Sequence, residues 1–273
     1  MTQEAKEQAW EERLWTLSDE AWERIAELFP RANGKKGFEQ EIPSRHVFEA
    51  VLYRMRLGCP WRDLPPAYGY WHAIYMRWQR WVEAGVPERV AAAVQKQKLT
   101  SGELDLALVL LDSTVVRAHQ HAAGARKKRG PQALGRSRGG FGSKLHLAAV
   151  SEKGGVIAAA VSPGQCGDAP VAAALLEKVC ELEAVKTVCA DRAYDSDAIR
   201  AQIKAAGKRA AIPPMKGRKR QYRYGKKTTY RQRNRIERLV NRLKQFRAIA
   251  TRYEKLKDMF LALVSTALIV FNL

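Results

Sequence analysis

Three carboxylates in this sequence stand where chemistry can be held rigidly. Asp112 closes the apolar run LDLALVLLDST, Asp191 closes KTVCADRAY, and Glu237 lies within YRQRNRIERLVNRLK. Between residues 198 and 253 there are 19 Lys and Arg, and Glu237 is the single acid among them. Carboxylates are hard oxygen ligands for Mg²⁺ and leave coordination positions for phosphate and water. Two such ions, roughly 3.5–4 Å apart, can activate an attacking oxygen and stabilise a leaving one at phosphorus. Three acids repel one another without cations. Two Mg²⁺ offset their charge, and the surrounding bases attract a polyanion. Simpler readings stand beside this one: Asp112 as a turn or cap residue, and Glu237 as half of an Arg233–Glu237 pair on an ordinary surface helix.

The elements that must position these acids are legible as patterns. In residues 230–244, Ile236, Leu239, Val240, Leu243 and Phe246 recur at helical spacing and make one apolar face. At about 100° per residue, Tyr230, Arg233, Glu237 and Lys244 share an arc away from that stripe. Arg231, Arg235, Arg238 and Arg242 form a second polar stripe beside it. The runs that end on Asp112 and Asp191 read as buried strands, which hold a terminal carboxylate firmly. KLHLAAV and GGVIAAAVS read as a hairpin around EKGG. Helices are expected over residues 168–182 and 196–206, a short strand in KRAAIPP, a basic loop over 215–229 and an apolar helix at the end. This order describes a mixed α/β sheet with helices on its faces.

Residues 1–98 are helical in pattern and contain all seven Trp before residue 82. Ser18 reads as an N-cap, a second helix runs from Ser44 to a stop at Gly58, and a third covers about residues 71–84. The aromatic stripe of the third reads as core. This part is expected to fold alone and to dock on duplex DNA. Residues 88–103 read as a linker. From Ser113 to Ser151 there is no acid, and QHAAGARKKRGPQALGRSRGGFG predicts a basic, mobile loop at about 120–142. His119 and His121 read as polar residues near phosphate, with metal binding or proton transfer as the alternative.

The 273 residues carry 48 Lys and Arg against 28 Asp and Glu, a net charge of +20. That balance points to nucleic acid rather than a membrane, because the bases are spread over several segments. Four separated cysteines without a CxxC fit a reducing compartment and give no zinc pattern. The first 15 residues are acidic and amphipathic, unlike a signal peptide. The terminal run MFLALVSTALIVFNL is shorter than the ~20 residues a membrane span requires.

With these residues in place, the sequence resembles the bacterial insertion-sequence transposases of the DDE type. One branch of them carries the signature Y-x2-R-x3-E-x6-K, met here by Tyr230, Arg233, Glu237 and Lys244 with every spacing kept. The second acid of that group lies in D-x-x-Y, met by Asp191 and Tyr194, and the first ends a strand, as Asp112 does. GRSRGGFGSKLH, RYEKL and GCPWRDLPPAYGYWHAIYMRWQRW are also similar to the family. The resemblance implies an RNase H-like catalytic domain at 99–273 after a small all-α, DNA-binding domain at 1–98. It implies that Asp112, Asp191 and Glu237 hold two Mg²⁺, with Mn²⁺ as a substitute, and that Tyr194, Tyr230, Arg233, Lys244, Arg136 and Arg138 contact DNA. The 46 positions from Asp191 to Glu237 leave little room for a large insertion. The implied reaction is cleavage at the element's terminal inverted repeats and transfer of the freed 3′-OH into target DNA, by a homodimer on DNA in the bacterial cytoplasm near the nucleoid. An inactive DNA-binding regulator and a nuclease without strand transfer are the alternatives.

Overall fold

The computed structural model describes residues 16–30, 42–125, 130–218 and 227–273. The expectations for the first 15 residues and for most of the 215–229 loop fall outside them. The N-terminal part is helical. Helix α1 (Asp19–Ala26) begins where the Ser18 hydroxyl accepts from the Ala21 amide at 3.2 Å. Helix α2 (Ser44–Leu57) stops at Gly58, whose φ of 70° lies in the left-handed region that favours glycine. Helix α3 (Trp71–Glu83) buries Ile74, Trp78, Trp81 and Val82, so most of the aromatic stripe is core.

The segment read as a linker is a helix instead, α4 (Val86–Thr100). Its Ala, Lys and Gln content is that of a good helix former, and Pro87 sits in its first turn where no amide partner is needed. Val86, Val90 and Val94 give it the buried stripe that a linker lacks.

Among the described residues seven strands form one mixed sheet. The long central strand β1 (Leu108–Ala118) pairs antiparallel with β3 (Gly140–Ala149), which pairs in turn with β4 (Val156–Pro163). On its other side β1 runs parallel to β5 (Thr187–Ala190), and β5 parallel to β6 (Arg209–Ala211). A short strand β2 (Gly135–Ser137) pairs with the start of β3. The expected mobile loop at 120–142 is therefore a β-hairpin over its last part. At Gly142 an added Cβ would lie 2.4 Å from the Val116 carbonyl oxygen, so a side chain there would push β3 off β1.

Helices cover both faces. α5 (Asp168–Cys180) and α6 (Asp197–Ala205) pack on the side of Val109 and Leu111. On the side of Leu110 and Val116 lie a short helix α7 (Lys227–Arg231), α8 (Asn234–Lys244), the turn of helix α9 (Arg247–Ala250), the two-residue strand β7 (Thr251–Arg252) and the last helix α10 (Lys257–Asn272). The single helix expected over 230–244 is thus broken. The amides of Gln232, Arg233, Arg235 and Ile236 bond three residues back rather than four, a tightened turn that separates Tyr230 from the α8 stripe.

Among the described residues the N-terminal helices do not form a separate core of their own. α2, α3 and α4 share one apolar cluster with α8 and α10, and α4 packs along α10. Among the described residues no helix is long and apolar enough to cross a membrane, and α10 is buried against protein along most of its length. This shared cluster weighs against independent folding of residues 1–98. That fragment alone is expected to show helical circular dichroism, bind a hydrophobic dye and melt without a cooperative transition. A sharp, dye-free transition would mean that its core closes without α10.

Candidate active site

The sheet register builds the site. β1 and β5 are parallel with Leu111 opposite Ala190, so the next residue on each strand is an acid, Asp112 and Asp191. Adjacent strands lie about 4.8 Å apart, and this register places two carboxylates side by side at the carboxyl end of the pair. Asp191 is fixed by its local structure: it caps a short turn, and its Oδ1 accepts from the Ala193 amide at 2.8 Å. Asp112 lies on the face of β1 that α8 covers. Ile236, Leu239 and Leu243 anchor α8 against that face and leave Glu237 exposed beside the two acids.

Arg233 ties the group together. Its Nη1 lies 3.5 Å from Asp112 Oδ1, and its Nη2 donates to Glu237 Oε1. The i,i+4 pair of the simpler reading therefore exists, and the same guanidinium also reaches Asp112. One cation does not balance three acids. Burial raises the Asp112 carboxyl to about 6, Arg233 opposes the rise, and Asp191 and Glu237 both add to it. Burial pulls the Arg233 guanidinium down, but Asp112 and Glu237 outweigh it and hold its pKa above the ordinary value.

The donor set here is all oxygen. Cys189 is nearby in β5, but burial pushes its thiol up to about 11, so it is no thiolate ligand at neutral pH. Hard carboxylate donors that, among the described residues, face the single cation Arg233 fit a divalent cation of the Mg²⁺ type. They do not form a closed cage: among the described residues no three His, Cys, Asp or Glu are drawn together as a ready metal site. Arg233, bridging Asp112 and Glu237, is the group that a bound cation would relieve.

The other expected site residues divide. Lys244 lies on α8 with its Nζ donating to the Val115 carbonyl at 3.3 Å, within reach of the same face. Tyr230, on α7, is half-buried next to Arg233. Tyr194 is corrected: it is 2% exposed, packed in the cluster on the α5 face, and has no surface to offer DNA. Arg136 and Arg138 are exposed on the β2–β3 hairpin. Gly142, where β2 meets β3, stands opposite Arg117, five positions along β1 from Asp112, so the two arginines lie roughly 16 Å or more from the acids. His119 and His121 lie past the far end of β1, with ring centroids 4.4 Å apart, and do not belong to this site.

Part of the second polar stripe is structural. Arg235 Nε pairs with Glu152 Oε2 at 3.0 Å, and Arg242 Nη1 donates to the Glu152 carbonyl while its guanidinium lies over Phe271. A polar network on the opposite face of the sheet escaped the sequence reading. Asp168, at the start of α5, accepts from Ser113 Oγ at 2.9 Å and from Lys144 Nζ at 3.1 Å. It steadies β1 one residue past Asp112. The only signal for it was Ser113 directly after Asp112.

A mixed sheet with two acids side by side where the parallel pairing of β1 and β5 stops, and a third on a crossing helix, fits a nucleic-acid enzyme of RNase H-like architecture; Asp112 lies within β1, which runs on to Ala118, and does not close the strand as its apolar run suggests. Comparison with known proteins gives the family. Residues 104–273 match the transposase DDE domain family, and residues 17–91 match a family described as "Putative transposase of IS4/5 family". A "Putative transposase for insertion sequence element IS6501" of Brucella ovis is 35% identical over 135 residues, covering 46% of this chain and 93% of that protein. The "Uncharacterized protein y4sN" of Sinorhizobium fredii is 41% identical over 115 residues, 42% of this chain and 86% of that protein. An "Insertion element IS402 uncharacterized 16.2 kDa protein" of Burkholderia cepacia is 25% identical over 107 residues, 37% of this chain and 73% of that protein. The chain belongs to the DDE transposases of bacterial insertion sequences.

The raised Asp112 carboxyl has a consequence for stability. Its pKa stands near 6 against an ordinary 3.8, so folding favours the protonated form. That contribution is complete below about pH 4 and is lost as pH rises through about 6. In EDTA at about pH 7.5, Asp112→Asn is therefore expected to raise the melting temperature, by at most about 3 kcal/mol of stability. The gain should vanish as the pH falls to about 4. A variant less stable than wild type at pH 7.5 would show that the ionised acid is held favourably, by Arg233.

Proposed function

We propose that this transposase cuts phosphodiester bonds at the ends of its element and joins the freed 3′-OH to target DNA. The observation that carries the reading is the β1–β5 register, which puts Asp112 and Asp191 side by side just past the last paired residues, with Arg233 linking Asp112 to Glu237. In this reading Asp112, Asp191 and Glu237 hold two Mg²⁺, or Mn²⁺ in their place. When bound, the metal supplies Lewis acidity, lowering the pKa of the attacking water and stabilising charge on the leaving oxygen. The chain supplies the rest. The Ala193 amide orients Asp191, and Asp168 through Ser113 steadies the strand that carries Asp112. Arg233 and Lys244 take phosphate oxygens near the cut, and Tyr230 adds a hydrogen bond or a stacking face. Attack by water releases a 3′-OH and leaves a 5′-phosphate on the flank. That 3′-OH then displaces a target 3′ oxygen, so each step exchanges one phosphodiester bond and no covalent enzyme–DNA bond forms. Two element ends must meet, which calls for a dimer on DNA, acting in the bacterial cytoplasm at the nucleoid.

The division of labour between helical and sheet parts, at about residue 98, is part of this reading: the helices contact the element end and the sheet cuts. Arg136 and Arg138 extend the basic surface along β1 away from the acids.

Two measurements test it. The first compares wild type with Asp112→Asn, Asp191→Asn and Glu237→Gln in paired assays on one preparation: gel shift in EDTA and nicking in Mg²⁺. Affinity should hold or rise slightly as repulsion of phosphate is removed, while nicking falls by several orders of magnitude. Near wild-type nicking by any of the three would remove that residue from the metal set. The second follows binding against salt for Arg233→Ala and Lys244→Ala. Each should shallow the slope by about one, the effect of one lost phosphate contact. An unchanged slope would mean that the side chain serves the protein rather than the DNA.

A further inference from the structure

At the far end of β1 from the carboxylates, a cleft of about 750 Å³ opens between the helical layer and the segment before α10. Its walls are aromatic and cationic. Trp61 and Tyr75 meet edge to face, with centroids 5.3 Å apart and 63° between planes, so neither ring covers the other's full face. Trp71, at the start of α3, adds a third ring, partly exposed. Arg62 lies over Trp71 at 5.4 Å, and Arg54 over Trp61 at 4.5 Å. Lys255 stands exposed on the rim.

Among the described residues that line the cleft, Glu254 is the only acid, and it is committed to Arg54 at 2.6 Å in a pair with both side chains buried. Arg54 Nε and Glu254 Oε2 are buried without a further hydrogen-bond partner among the described residues. The carboxylate mechanism uses none of these residues.

We infer that this cleft is a binding site for an unpaired base of a DNA strand. A duplex offers only base edges in its grooves; ring faces become available when a strand is unpaired. Aromatic walls take such faces whatever the base, and cations at the rim take the phosphates on either side. The volume lies in the range of sites for single small molecules, large enough for one nucleotide and too small for a duplex. A basic peptide would be repelled by Arg62 and Lys255. The site extends the DNA path along β1 to a second, non-cleaving contact that holds single-stranded DNA.

This rests on DNA as the substrate, but the test runs in EDTA, where no cleavage occurs, so its failure and the failure of the metal-site reading are separate results. The full chain is titrated with a short oligothymidylate and with an abasic oligomer of equal length and charge. Wild type is expected to prefer the oligothymidylate about tenfold, the scale of stacking one base. Trp71→Leu, which keeps apolar bulk but removes the ring, should bring the preference near unity and leave the abasic affinity unchanged. Independently of any variant, an iodouracil-substituted oligomer photocrosslinked to wild type should mark Trp61, Trp71 or Tyr75. Equal affinity for the two oligomers, a preference retained in folded Trp71→Leu, or crosslinks only outside the cleft would overturn the proposal. Should Trp71→Leu not fold, the wild-type crosslink map decides.

Discussion

The pairing register of β1 with β5 is the constraint on which this structure turns. Parallel strands advance in step, so Leu111 opposite Ala190 obliges Asp112 and Asp191 to emerge together. Burying a carboxylate is costly, and the raised Asp112 carboxyl records that cost first, with the like charge of Asp191 adding to it. The remainder of the site answers it. Arg233 is brought to Asp112 by a helix that cannot slide, because Ile236, Leu239 and Leu243 fix its register on the sheet. The tightened turn before α8 sets Tyr230 at a different angle from the residues after it.

A second constraint lies at the other end of β1. Arg252 is fully buried, and its guanidinium donates to the carbonyls of Ala133, Gln132 and Glu254 and to Ser143 Oγ. Burial lowers its pKa to about 10, still well above neutrality, so it remains a cation that saturates carbonyls from two separate segments. Two residues on, Glu254 pairs with Arg54 of α2. Within RYEKL, one arginine pins the sheet to the loop after β1, and one glutamate pins the helical layer to both. The orientation of the N-terminal helices against the sheet is thus fixed by buried charge as well as by apolar packing.

Much of this was legible in residue order. The Ser18 cap and the Gly58 stop are local signals that the structure places where the pattern implies, and Asp191 directly follows its strand as expected. Asp112 does not end its strand: β1 runs six residues further, to Ala118, because β3 keeps pairing with it, and the tightened turn splits Tyr230 from the Arg233–Lys244 arc. What was not legible depends on tertiary pairing. Residues 88–103, rich in Ala, Lys and Gln, look like a linker until α10 supplies the surface that Val90 and Val94 bury against. The short strand β2 has only three residues and gains its identity from β3. Tyr194 follows Asp191 at a familiar interval, but the turn that Asp191 caps aims the ring into the core. The Asp168 network joins residues 55 apart in sequence through one hydrogen bond to Ser113, which no local pattern encodes.

Net charge is a poor count of DNA contacts in this protein. Of the bases crowded after residue 198, Arg200 and Arg218 are committed to Asp195, Arg235 and Arg242 to Glu152, and Arg252 to backbone carbonyls. Each holds an element in place, and a cation already saturated by protein acceptors releases no counterion from DNA. Arg233 belongs to neither set. Its partners are the acids that a bound cation would neutralise, so it is tied down only while those charges lack another counterion. If the carboxylates hold metal as proposed, that exchange, guanidinium for metal, would free a cation beside them for phosphate and would couple DNA grip to readiness for cleavage through a single side chain.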